Sequence, residues 1–141
     1  MEVPEYLRER ISRIGPINDR NVPRPLLTLE EFFEGNDEYG SIGCNLPDSV
    51  HPREFFEVFK RIRERPDVAD VRVQVTSWDD PEEWPFSDTI WVITSLTRQD
   101  IKQRLGKRLH GGDEVSVGWP EYPIETVDVP PGMRPLGVWW D

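Results

Sequence analysis

The sequence predicts a single α+β domain in which one antiparallel-rich sheet carries two helices on one face. Three observations within residues 52–95 predict it: a proline-opened amphipathic helix, a strand whose valines alternate with polar residues, and a strand that is apolar throughout. The chain has 141 residues, the common length of one domain. Its hydrophobic fraction is only 36%, but six Trp and six Phe bring enough area per residue to build a core.

Taken in order, Tyr6, Leu7, Ile11 and Ile14 fall near helical spacing, so residues 5–14 read as a short helix ended by Gly15-Pro16. PINDRNVPRP, with three prolines, reads as an extended surface connector. Thr28 followed by Glu31 has capping-box spacing ahead of Leu29, Phe32 and Phe33, which predicts a helix over 29–34 closed by Gly35. Ser41 to Leu46 is expected to be the first strand of the main sheet. His51-Pro52 opens the strongest helix, 52–65, with Phe55, Val58, Phe59 and Ile62 on one stripe and Pro66 as its stop.

Val71, Val73 and Val75 alternate in the strand 70–76, whereas TIWVITS at 89–95 suits a strand covered on both faces. Thr97 and Asp100 mark the start of a helix closed by Gly106. Glu114 to Trp119 and Leu136 to Trp140 read as strands, with a short edge strand expected at Ile124 to Val129 inside a proline-rich stretch. The resulting order from Ser41 onward matches the ferredoxin-like βαββαβ pattern. Residues 1–40 are then an N-terminal helical and extended arm packed on a core domain of residues 41–141.

Charge and cysteine content narrow the function classes. With 27 Asp plus Glu against 17 Lys plus Arg, a net charge of -10 disfavours nucleic acid and anionic lipid as partners. One cysteine, Cys44, forms no internal disulfide, and no segment reads as a signal peptide or a membrane span, so a cytoplasmic protein is expected.

Chemistry-bearing motifs are scarce. Cys44 sits among small and apolar neighbours and is expected to be a buried structural thiol. His51 suits a helix cap, and His110 with Asp113 has an unspecific H-x-x-D spacing, so neither a metal site nor a cofactor is expected. The loop Asp79, Asp80, Glu82, Glu83 lacks the ligand alternation of a calcium loop. No phosphate loop, nucleophile elbow or zinc-protease motif occurs, and no catalytic residue is assigned.

What distinguishes that loop is Trp78 and Trp84 set among carboxylates, a composition suited to docking a basic partner. The alternative for the two tryptophans is that they fold back as caps on the core. Residues 30–38 add further acids without a cation, and Glu34, Asp37 and Glu38 join the expected binding surface. The leading expectation is a non-catalytic interaction domain, of which a bacterial immunity or inhibitor protein for a basic target is one form. Two alternatives stand beside it. One is a small enzyme or ligand-binding domain with a pocket lined by Trp91, Trp119, Trp139 or Trp140. The other is a homodimer in which the GVWWD strand pairs across a two-fold axis.

Overall fold

The computed structural model describes residues 3–109 and 114–140, so His110 and Asp113 lie outside the described residues. The elements run α1 (Glu5–Ser12), β1 (Leu26–Thr28), α2 (Leu29–Phe33), α3 (Pro52–Arg63), β2 (Val68–Gln74), β3 (Thr89–Thr94), α4 (Arg98–Leu109), β4 (Val115–Val117) and β5 (Arg134–Trp139). Among the described residues five antiparallel strands form one sheet in the order β1-β2-β3-β5-β4. Among the described residues no helix is long and apolar enough to cross a membrane.

Side-chain alternation sorts the sheet into two faces. Val71, Val73, Ile90, Val92, Leu136 and Val138 join one apolar cluster with Phe55, Phe59 and Ile62 of α3 and Ile101 and Leu105 of α4. Leu7 and Ile11 of α1 and Phe32 of α2 enter the same cluster, so the first forty residues contribute to the core itself. On the second face Trp91 and Ile93 are also buried, as expected for a strand apolar throughout. Trp119, from the proline-rich segment, meets Trp91 at 5.0 Å between ring centroids.

Four expectations are corrected. Ser41–Leu46 is not a strand, because Gly40 (φ 85) and Gly43 (φ 64) adopt left-handed backbone that interrupts an extended run. The place beside β3, opposite β2, is taken by β5 instead, so the βαββαβ order expected over 41–141 is not the observed order. Cys44 is exposed, since the turns around it bury Ile42 and leave the thiol facing outward. Finally, β5 is hydrogen-bonded on both sides, to β3 and β4, so its backbone is not available for two-fold pairing with a second copy.

Two smaller differences concern edges. Ile124–Val129 makes a single parallel bridge, Ile124 to Arg24, rather than a strand. The edge strand beside β2 is β1, whose three residues carry no periodicity to read. Its outward backbone groups at Leu26 are capped by side chains: Glu125 Oε1 accepts from Leu26 N at 2.6 Å, while Arg10 and Arg72 donate to Leu26 O.

Gly137 is required by the second face. A Cβ there would lie 2.8 Å from the Trp91 ring and 2.9 Å from Ser116 Oγ. Gly137→Ala is expected to cost about 1–3 kcal/mol through displacement of the Trp91 ring, read by urea unfolding.

Candidate functional site

The acidic surface is assembled from two segments distant in sequence. The capping box is formed as expected: Thr28 Oγ1 accepts from Glu31 N at 3.1 Å, and Glu31 Oε1 accepts from Thr28 N at 2.8 Å. Beyond α2 the chain turns at Gly35 (φ 77), and buried Asn36 organises the turn that runs on to Ser41. Its amide nitrogen donates to Ser41 Oγ at 3.0 Å, and its Oδ1 accepts from Glu38 N at 2.9 Å. Asp37 accepts from His51 Nε2 at 3.1 Å. His51 Nδ1 meanwhile accepts from Arg53 N at 3.0 Å, which makes this histidine the cap of α3 and leaves Nε2 as the protonated nitrogen of the neutral ring.

The loop after β2 is closed at its base by Ser77 and Phe86, with Thr76 N and Phe86 N bonded across at 2.8 and 2.9 Å. At its tip Asp80 Oδ1 accepts from Glu82 N, and Asp80 O accepts from Glu83 N, each at 2.9 Å. Trp78 Nε1 donates to Glu83 O at 2.9 Å, so the half-buried indole braces the turn.

Trp84 takes the other course. It is 3% exposed, with Nε1 donating to Phe32 O at 2.7 Å, so it caps the core and offers no surface to a partner. The same bond fastens the loop to α2, and Ser87 N donating to Ser41 O at 2.8 Å fastens it to the 36–41 turn. The sequence offered only a composition for this segment, and the burial of one tryptophan of the pair is a tertiary outcome.

The consequence is a shallow concavity of about 210 Å³ where Glu38, Asp79, Asp80 and Glu83 face Ser41, Ser77 and Trp78. Asp79, Asp80, Glu82 and Glu83 are all exposed. Glu82 meets Arg8 at 3.3 Å in a solvent-screened pair, and the other three enter no salt bridge among the described residues. Among the described residues no group of three or more ligating side chains has the arrangement to hold a metal.

Other acids of residues 30–38 are spent on structure. Arg63 holds Glu30 in a bidentate pair at 2.6 and 2.7 Å, and that hydrogen bonding keeps the Glu30 carboxyl below its ordinary range. Glu31 meets Arg10 at 3.2 Å. Glu34 stays exposed beside Tyr6, whose phenol is pushed up by burial first and by the Glu34 and Glu31 charges second. Sequence reasoning missed Asn36 and the serines Ser41 and Ser77, whose roles depend on two loops meeting.

The tryptophans expected to line a pocket divide between the sheet faces. Trp139 is 42% exposed at a groove of about 490 Å³, with Trp91 and Trp119 packed on that same face. Trp140 lies on the helix face, 3% exposed.

Comparison with known proteins gives one consistent match. A family model described as the uncharacterized protein YfbO family matches residues 5–138. An Escherichia coli K12 protein described as "Uncharacterized protein YfbO" is 41% identical over 138 residues, covering 94% of this chain and 97% of its own. No solved structure matches.

Proposed function

We propose that this chain, which belongs to the YfbO family, is a non-catalytic recognition domain that docks a basic macromolecule on its acidic end. One observation carries the reading: the 36–41 turn and the 78–84 loop are bolted together so that Glu38, Asp79, Asp80 and Glu83 share one exposed concavity. Exposed carboxylates held on fixed turns steer and select a cationic partner, and Trp78 supplies flat contact area at low entropic cost. Glu34, Asp37 and Glu82 are exposed on the same two segments, and we read them as an extension of this surface. An inhibitor or immunity protein for a basic target is the concrete form we favour, acting in the cytoplasm, where an exposed unpaired thiol such as Cys44 is kept reduced.

We also read the sheet β2-β3-β5-β4 with α3 and α4 as a ferredoxin-like arrangement in which the last strand stands in for the first. This is supported by direction and by proximity. β3, α4 and β4 form a split unit around β5, and Trp140, at the end of β5, packs 5.3 Å from Phe55 in the first turns of α3.

The docking surface is tested by affinity capture from a cell extract with three proteins. They are the wild type, a variant carrying Asp79→Asn, Asp80→Asn, Glu82→Gln and Glu83→Gln, and an equal-charge control carrying Glu57→Gln, Glu64→Gln, Glu121→Gln and Asp128→Asn. A basic partner held by wild type and control is expected to be lost by the loop variant and by added salt. Retention of every captured protein by the loop variant would sink the proposal.

A further inference from the structure

The second face of the sheet carries the groove whose mouth is flanked by Tyr122, 46% exposed, and Trp139, 42% exposed. Its floor is polar and built. Gln74 is 2% exposed, accepts from Trp91 Nε1 at 2.9 Å and donates to Tyr122 OH at 3.0 Å, so its amide is fixed in one orientation. Asp88 Oδ1 takes the hydroxyls of both Thr76, at 2.7 Å, and Thr89, at 2.8 Å. Its second oxygen has no donor among the described residues.

The rim is positive, although the chain carries a net charge of -10. Arg20 is exposed, and neither Arg20 nor Arg24 is bridged to a carboxylate among the described residues. The Arg24 guanidinium lies against Ile17 O. Its main chain is stitched to the Tyr122 segment by Arg24 N to Pro123 O and Glu125 N to Arg24 O, both 3.0 Å. Thr89 and Trp139 are direct cross-strand partners, so the aromatic wall and the Asp88 network keep a fixed spacing.

We propose that this groove binds an anionic monosaccharide, with its acidic group on Arg20 and Arg24, its ring against Trp139 and Tyr122, and a hydroxyl donated to Asp88 Oδ2. Each part of the groove answers one part of that ligand. Guanidinium pairs match carboxylate or phosphate oxygens. Flat aromatic faces cover the apolar side of a sugar ring, and a preoriented carboxylate and amide read its hydroxyls. The groove volume of about 490 Å³ accommodates one such ring. This site is separate from the acidic end, and its failure would leave that reading untouched.

The test titrates glucuronate, glucose 6-phosphate, neutral glucose, benzoate and inorganic phosphate into the full chain, following the indole and side-chain amide signals of Trp139 and Gln74 by NMR. Both acidic sugars are expected to move these signals at millimolar concentration or below, and the tighter of the two identifies the acidic group as carboxylate or phosphate. Arg20→Gln and Trp139→Ala are each expected to weaken binding about tenfold, the effect of losing one charge-assisted or stacking contact, with unchanged circular dichroism and melting within a few degrees of the wild type. Glucose, benzoate or phosphate binding as tightly as the acidic sugars would overturn the assignment, as would silence of the Trp139 and Gln74 signals with both acidic sugars.

Discussion

Trp140→Ala is expected to lower the unfolding free energy by about 3–5 kcal/mol, whereas Trp139→Ala, one position earlier, should cost less than about 1 kcal/mol. The asymmetry follows from strand alternation. Trp140 is 3% exposed, stands edge-on to Phe55 at 5.3 Å and Phe59 at 5.9 Å, and donates Nε1–H to Leu109 O at 2.7 Å. Truncation therefore opens a cavity between α3, α4 and the sheet, and also strands a buried carbonyl. Trp139 points to the other face and is 42% exposed, so its removal forfeits little packing. Urea unfolding followed by circular dichroism measures both variants. Equal losses would show that the two faces had been assigned wrongly.

Arg10→Ala and Glu125→Ala should each destabilise the protein by about 2–3 kcal/mol, somewhat below the loss typical of a fully buried pair. Their double variant should cost less than the sum. Arg10 donates to Glu125 at 2.7 and 3.0 Å, to Leu26 O at 3.3 Å, and lies 3.2 Å from Glu31. Burial opposes its charge, but the bonds to Glu125 and Glu31 prevail and raise its pKa above the ordinary guanidinium value. Glu125 in turn accepts from Leu26 N, so losing it uncaps the edge strand as well. Glu125→Gln keeps an acceptor for Leu26 and should recover part of the loss. Strict additivity of the two alanine variants, measured as a double-mutant cycle, would mean that they are not one network.

Local patterns carried much of this fold. The Pro52 helix, the alternating valines of β2, the wholly apolar β3 and the Thr28–Glu31 capping box all appear where propensity and periodicity place them, because each is stabilised by contacts within a few residues, by a single buried face or, in β3, by burial on both faces. β1 was not legible: three residues hold no period, and its strand character comes from pairing with β2, over 40 residues away. The acidic end was legible as two charged segments and not as one surface. Trp84 could equally cap the core or face solvent on composition alone, and its bond to Phe32 O, together with Ser87 N to Ser41 O, joins the segments. The groove residues Arg20, Arg24, Gln74 and Tyr122 carry no shared motif, since they arrive from a connector, a strand and an irregular loop.

Side-chain period, caps and composition were enough to establish the α+β class, most helix positions, the two strongest strands and the sign of the surface charge, because each of these is a local property of the chain. Which segment lies beside β3 was left to long-range packing. Ser41–Leu46 was the segment expected there as first strand, but its glycines bend it out of extended form, and β5 takes the place, with Leu136, Val138 and Trp140 buried against the helices. Contacts between parts far apart in the chain chose between them, and the same contacts set which tryptophan is core and which is groove.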